Sequence, residues 1–310
     1  MKDLTIAIPT YNRKERLIRE IKSLIDQPEF PNVSFLILDN HSNYDVKQVL
    51  LDEFGGNRLN NMQFISHPYN LGLSLNIALP FYYCKTKWLW IVSDDDECLS
   101  DALNIVTNDM RKYPDMMAIK YSIANMGQFH NEIVSNFDEL IRLGNRTQSF
   151  AGEFMFISNG IYNIEKLQDI LGDVINYSYN IVAGVNPILF GIDKNLGACL
   201  FSEKRIVNYL TPASGTGWDP RNVMTRCANL LDYPFNCDAK TMIKLTSLIS
   251  GSGFRVFMSA CELFNNRKKA KLFYNKTFNL LYGHYAFFVK YVCKIIFYIF
   301  LISGINLVKR

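Results

Sequence analysis

The chain has 310 residues, of which 49% are hydrophobic and 20% charged, with a formal net charge of +4. This composition excludes wholesale disorder and fibrous repeats, and the length suits one large α/β domain or two smaller ones. The seven cysteines are scattered and form no C-x-x-C pair, so reduced thiols and a cytoplasmic setting are expected. The four histidines are equally dispersed, which argues against zinc.

An apolar run over residues 4–8 directly follows Met1-Lys2-Asp3; it reads as a first strand, and no export sequence is expected. It closes on Pro9-Thr10-Tyr11-Asn12, where Thr10 or Asn12 can cap a helix over residues 13–25 with Leu17, Ile18, Ile21, Leu24 and Ile25 on one face. A second buried strand over 33–38 ends at Asp39-Asn40-His41-Ser42. A short helix carrying Val46, Val49 and Leu50, a Gly55-Gly56-Asn57 turn and a third strand over 62–66 follow. The loop His67-Pro68-Tyr69-Asn70-Leu71-Gly72 leads into a helix over 74–84 and a fourth strand over 88–93. A helix over 100–112 is stopped by Pro114 ahead of a fifth strand over 116–123. Beyond residue 123 the pattern loosens: strands are expected over 154–158 and 206–210, a loop over 211–218, and mostly helix after Arg221.

Alternation of strand and helix through residue 123 implies a mostly parallel sheet flanked by helices. In such sheets ligands sit beyond the carboxyl ends of the strands. The polar clusters at 9–12, 39–42, 70–72 and 94–97 all fall at expected strand ends or adjoining loops, so they should share one crevice. The last of them, Asp94-Asp95-Asp96-Glu97, places four carboxylates at the mouth of a core strand. Alone, such a run is a solvated acidic turn before a helix; in a shared crevice it becomes a site for a hard divalent cation such as Mg2+ or Mn2+ bridged to phosphates. No G-x-G-x-x-G follows the first strand and no G-x-x-x-x-G-K-[ST] occurs, which leaves a dinucleotide site unsupported and excludes a P-loop.

Four ordered segments resemble those of the family 2 glycosyltransferases of GT-A fold: Ile6-Ala7-Ile8-Pro9-Thr10-Tyr11-Asn12-Arg13, Leu36-Ile37-Leu38-Asp39-Asn40-His41-Ser42, Asn70-Leu71-Gly72 with Asn76, and Leu89-Trp90-Ile91-Val92-Ser93-Asp94-Asp95-Asp96-Glu97. The resemblance covers residues 3–123, with a thinner echo to about 210. It implies a catalytic domain over 1–220, with a nucleotide-binding half (3–123) and an acceptor half (124–220), and a helical C-terminal region over 221–310. Pro9, Thr10, Tyr11 and Arg13 would line the nucleotide pocket, with Tyr11 packing on the base and Asp39 accepting a hydrogen bond from it. Asn70 and Gly72 would lie near the sugar nucleotide, Asp94 and Asp95 would contact it, and Asp96 would bind Mn2+ or Mg2+.

The family's second aspartate is Asn40 here, and no Glu-Asp pair follows Glu97 to supply an acceptor base; Tyr177-Ser178-Tyr179-Asn180 stands in its place. Asp193 is the candidate base, against the alternative of a helix-end aspartate at the surface. The Ser-Asp-Asp-Asp-Glu variant without an evident base is similar to the abequosyltransferase-type subgroup, and inversion and retention both remain open.

Residues 251–310 carry ten Lys or Arg against one acid, an excess of +9 that leaves −5 on residues 1–250. The basic cluster at 267–271 precedes an apolar stretch over 286–308 whose only charges are Lys290 and Lys294. Its uncharged part, residues 295–308, is shorter than the roughly 20 residues a span requires. A helix lying on an anionic membrane surface, at the inner face of the cell membrane, is therefore weighed against one packed on the catalytic domain. The expected partners are a UDP-, GDP- or CDP-sugar donor and a glycan or polyprenyl-linked acceptor, in a surface polysaccharide such as O-antigen or capsule; nucleic acid is not expected. The rivals are a sugar nucleotidyltransferase, which resembles G-x-G-x-R at its first loop where this chain has none, and a non-catalytic membrane-bound protein retaining the fold.

Overall fold

The computed structural model describes residues 3–123, 129–180, 184–210 and 228–250, with isolated residues from 268 to 299. It divides into two compact units, Met1–Ser214 and Gly215–Arg310.

In the first unit, strand β1 (Leu4–Thr10) runs parallel to β2 (Ser34–Asp39) on one side and to β4 (Trp88–Ile91) on the other; β3 (Met62–Ser66) continues the sheet parallel to β2. Helices α1 (Lys14–Ile25), α2 (Val46–Phe54) and α3 (Leu73–Tyr83) make the crossovers. Every residue of β4 is buried, as its unbroken apolar run requires of a strand covered on both faces. Alternate residues point to opposite faces. One face, with Ile6, Ile8, Phe35, Ile37, Trp88 and Trp90, packs on Leu17, Ile21 and Leu24 of α1 and on Leu103 and Val106 of α4 (Ala102–Lys112). The other face is covered by α3, whose Phe81 ring meets Tyr162 edge-on at 5.1 Å.

The second half of this unit is less parallel than the alternation suggests. Strand β6 (Ala118–Ser122) does not pair with β4; β8 (Gly160–Asn163) inserts between them, antiparallel to both. Strand β9 (Cys199–Arg205) then pairs parallel to β6, and β7 (Glu132–Val134) closes the edge antiparallel to β9. The sheet order is β3-β2-β1-β4-β8-β6-β9-β7. A separate two-stranded ribbon joins β5 (Glu97–Cys98) to β10 (Val207–Asn208).

Two expectations change here. The strand expected over 154–158 is instead helix α6 (Phe150–Met155), following α5 (Phe137–Arg146), and the nearby strand is β8. A short apolar run cannot tell helix from strand; here Phe150 stacks on Phe154 at 5.0 Å and Glu153 turns inward. The strand expected over 206–210 shrinks to the two residues of β10, after a seven-residue β9 whose charged end, Glu203-Lys204-Arg205, obscures it in the sequence. Lys204 is held there by an ion pair to the buried Asp109 at 2.6 Å.

In the second unit, Asp238 accepts hydrogen bonds from the Thr241 backbone N–H at 3.0 Å and its hydroxyl at 2.7 Å, starting α8 (Ala239–Ser250), which buries Leu245 and Ile249. No described helix is long and apolar enough to cross a membrane. The basic cluster at 267–271 and the apolar stretch over 286–308 lie largely outside the described residues.

Candidate nucleotide-sugar site

The carboxyl ends of β1, β2 and β4 meet at one edge, where backbone bonds tie their loops together. Asn40 donates its N–H to the Thr10 carbonyl at 2.9 Å and His67 donates to the Asp39 carbonyl at 2.9 Å. Asn12, whose φ is 54°, is not a helix cap: its N–H goes to Ser42 Oγ at 2.9 Å and its Oδ1 accepts from Asn43 N–H at 2.8 Å. The residue at the cap of α1 is Arg13, whose side chain leaves the helix for the acidic run. Asp39 is buried and accepts the Ser42 N–H at 2.9 Å. Asn40 donates to Asn70 Oδ1 at 2.9 Å and accepts Leu71 N–H at 2.8 Å, which fixes the 70–72 loop against β2. Gly72 has φ of 80° and nothing within 4 Å of a built Cβ, so the left-handed backbone at the start of α3 selects glycine there rather than crowding by the protein's own atoms.

The acidic run is not a bare cluster of four charges. Asp94 is 3% exposed; its Oδ2 accepts from Thr10 Oγ1 at 2.7 Å and its Oδ1 from Arg13 Nη1 at 2.9 Å. Burial pushes the Asp94 carboxyl up, with the Arg13 guanidinium opposing. Asp95 pairs with both Arg13 and Arg16, and Arg19 donates to its carbonyl at 3.2 Å. Arginines at 13, 16 and 19 recur every three positions, a spacing visible in the sequence that sets them along one side of α1. Arg13 and Arg16 supply countercharge to Asp94 and Asp95.

Asp96 differs from its neighbours. It is 3% exposed and forms no ion pair with a described arginine, although Arg19 lowers its carboxyl slightly; its Oδ2 accepts from Ser158 Oγ at 2.5 Å. No described donor meets its Oδ1. Burial raises its carboxyl to about 7, partly offset by Ser158 and reinforced by Asp95 and Asp94. A cation beside Asp96 would remove much of that cost. No group of three His, Cys, Asp or Glu among the described residues could hold a metal ion by itself. The Asp96 carboxylate, with Oδ1 lacking a described donor, fits a divalent ion whose other ligands are substrate oxygens, the usual arrangement for Mg2+ on phosphates.

Pro9, Thr10, Tyr11, Arg13, Asp39, Asn70, Gly72, Asp94, Asp95 and Asp96 all lie on this edge or in the loops leaving it. Tyr11 is 42% exposed beside it. Asp193 is not brought there. It ends α7 (Asn186–Asp193), where a Cβ built on Gly191 would meet Met117 Sδ at 2.6 Å. Met117 N–H bonds to the Ala198 carbonyl at 2.9 Å just before β6 begins, at the amino end of the sheet. Clefts lined by Thr5, Ser34 and Tyr83 and by Asp3, Lys87 and Trp88 also open at that amino end.

Beneath the acidic run, α1 carries Glu20 fully buried beside Cys98, with Oε2 unpartnered. Burial lifts its carboxyl from the ordinary 4.5 to about 8, against a hydrogen bond with Cys98 that lowers it. A raised carboxyl contributes stability that is whole below 4.5 and is lost progressively as pH climbs through about 8. Glu20→Gln is expected to flatten the fall in unfolding free energy between pH 5 and 8. Urea melts at the two pH values check this, and an unchanged slope contradicts it.

Parallel strands thus feed one carboxyl edge, with a carboxylate at the end of β2 and an acidic run after β4. The sequence profile of glycosyl transferase family 2 matches residues 5–171, more than half of the chain, and the chain belongs to that family. It is 24% identical over 206 residues to abequosyltransferase RfbV of Salmonella typhimurium LT2, covering 60% of this chain and 59% of that protein, so it matches less than two thirds of that relative's length. Among solved structures it is similar to S. aureus TarS 1–349 in complex with UDP-GlcNAc (12% identity, TM-score 0.58, 91% of this chain and 89% of that one). It is also similar to the mannosyltransferase PcManGT from Pyrobaculum calidifontis in complex with GDP-Man and Mn2+ (9% identity, TM-score 0.55, 97% and 87%). These structural likenesses support the fold.

Proposed function

We propose that this protein transfers a sugar from a nucleoside-diphosphate donor to a glycan or lipid-linked saccharide acceptor in surface polysaccharide synthesis. The observation that carries the reading is the meeting of Asp39, the Thr10–Asp94–Arg13 group and Asp96 at one carboxyl edge. Asp39 is the base-side acceptor and the exposed Tyr11 ring the stacking surface. Thr10 and Arg13 hold Asp94 with both oxygens engaged, which orients it toward the sugar or ribose. Asp96 is the ligand for Mn2+ or Mg2+. A divalent ion held there would supply electrostatic stabilisation for the charge on a departing diphosphate. UDP-GlcNAc and GDP-Man, bound by the relatives above, support a UDP- or GDP-sugar donor, with a CDP-sugar as the third candidate. The basic C-terminal tail supports a peripheral position on an anionic inner membrane face, where a polyprenyl-linked acceptor would be presented.

One observation favours a second reading, a binding protein that keeps the fold without turnover: Asp193, the candidate base, lies at the far end of the sheet. The mechanism above therefore gives Asp193 no role. Incubating the protein with Mn2+ and UDP-, GDP- and CDP-sugars separates the readings. Release of one nucleoside diphosphate above buffer rate supports transfer. A nucleotide-dependent rise in melting temperature without release supports the second reading, and neither response contradicts both.

A further inference from the structure

The segment Phe156-Ile157-Ser158-Asn159-Gly160 joins α6 to β8 and passes over the carboxyl end of β4. Ser158 is fully buried, and three contacts fix it. Its Oγ accepts the Ser93 N–H at 2.9 Å and donates to Asp96 Oδ2 at 2.5 Å; its carbonyl accepts Trp90 Nε1–H at 2.7 Å. One hydroxyl thus bridges the backbone at the start of the acidic run to the carboxylate at its third position. Because the Oγ hydrogen is committed to Asp96, the carboxylate has one defined orientation, with Oδ1 left without a described donor. The segment carrying Ser158 is itself pinned from below. Lys120 Nζ donates to the Phe156 carbonyl at 2.6 Å, and Asn159 Nδ2 donates to the carbonyls of Tyr121 and Glu153 at 2.7 and 3.0 Å. Lys120, Asn159 and Glu153 are all buried.

We infer that Ser158 is a positioning residue that sets the metal-ligating orientation of Asp96 and ties it to the second half of the domain. This rests on the reading of Asp96 as the ligand of a divalent ion. The partner of a ligating carboxylate is part of the site's affinity, and removing such a partner typically lowers metal affinity 10- to 100-fold. Nothing in the sequence marks Ser158 for this role, since its reach to Asp96 spans 62 positions and depends on β8 lying beside β4.

The test uses the full chain and Mn2+, with UDP, GDP and CDP offered in turn. Binding is followed by loss of the free-Mn2+ electron paramagnetic signal, and folding by circular dichroism. Ser158→Ala is expected to weaken Mn2+ binding roughly 10-fold or more with an unchanged spectrum. In an Asp96→Asn background the same change is expected to add less than about 2-fold, because the two residues act as one unit. Ser158→Cys, a weak donor of similar shape, supplies the comparison should the alanine variant not fold. Equal binding by the native and Ser158-substituted proteins overturns the inference while sparing the metal reading. So does an equal loss in both backgrounds, which marks a merely structural role. Failure of the native protein to bind Mn2+ with any of the three nucleotides overturns the metal reading and the inference with it.

Discussion

Asp96→Asn is expected to reduce sugar transfer roughly 100- to 1000-fold while leaving the melting temperature equal to or above that of the native protein. The two halves of that expectation have one cause. Asp96 is buried, forms no ion pair with a described arginine and is raised to about 7 chiefly by desolvation, so its ionised form is a cost the fold tolerates. An amide of the same shape removes the cost, and with it the negative oxygen a divalent ion needs. Asp94 and Asp95 are different. Their charges are matched by Arg13 and Arg16, and neutralising either leaves a guanidinium without its partner. Initial rates of nucleoside diphosphate release, together with thermal melts of the variant, check the claim. A destabilised Asp96→Asn protein with an unchanged rate would place the ion elsewhere.

Trp90→Ala is expected to cost about 3–5 kcal/mol of stability and to lower activity in whatever fraction remains folded. Trp90 is fully buried in the face of β4 that packs on α1 and α4. Truncation removes its large apolar surface and opens a cavity between sheet and helices. It also takes away the indole N–H from the Ser158 carbonyl, leaving a buried acceptor unsatisfied next to the residue that orients Asp96. Trp90→Phe separates the two contributions, because it keeps most of the apolar volume and loses only the donor; a loss of about 1–3 kcal/mol is expected there. Denaturant titration of both variants measures the difference. Equal stability of native protein and Trp90→Ala would mean that β4 is not the core strand described here.

The first half of the fold was readable because its strands are unbroken apolar runs that end abruptly in polar clusters. For a parallel sheet that pattern fixes both burial and the edge at which the clusters meet. Asp39, Asn70 and Asp96 share that edge because β1, β2 and β4 run in one direction. The second half was harder. Gly160-Ile161-Tyr162-Asn163 is only four residues long, and nothing local says that it inserts antiparallel between β4 and β6. The helix at Phe150–Met155 and the strand at Cys199–Arg205 depend on what they pack against, not on period. The charge balance of the site was also hidden. Arg13 and Arg16 lie 82 and 79 positions from Asp95, and their pairing exists only once β1 lies beside β4. Asp193 misled for a related reason: an apolar run followed by an aspartate looks alike at either end of a sheet.

The central claim is that Asp96 holds a divalent ion against a nucleoside diphosphate at the carboxyl edge of β1, β2 and β4. Crystals grown with Mn2+ and the nucleoside diphosphate that raises the melting temperature most test it directly, through anomalous scattering at the manganese edge. The account predicts an anomalous peak about 2.2 Å from an Asp96 carboxylate oxygen, with diphosphate oxygens on its far side and the base beside Asp39. A peak elsewhere, or nucleotide density on this edge with no manganese beside Asp96, would contradict it.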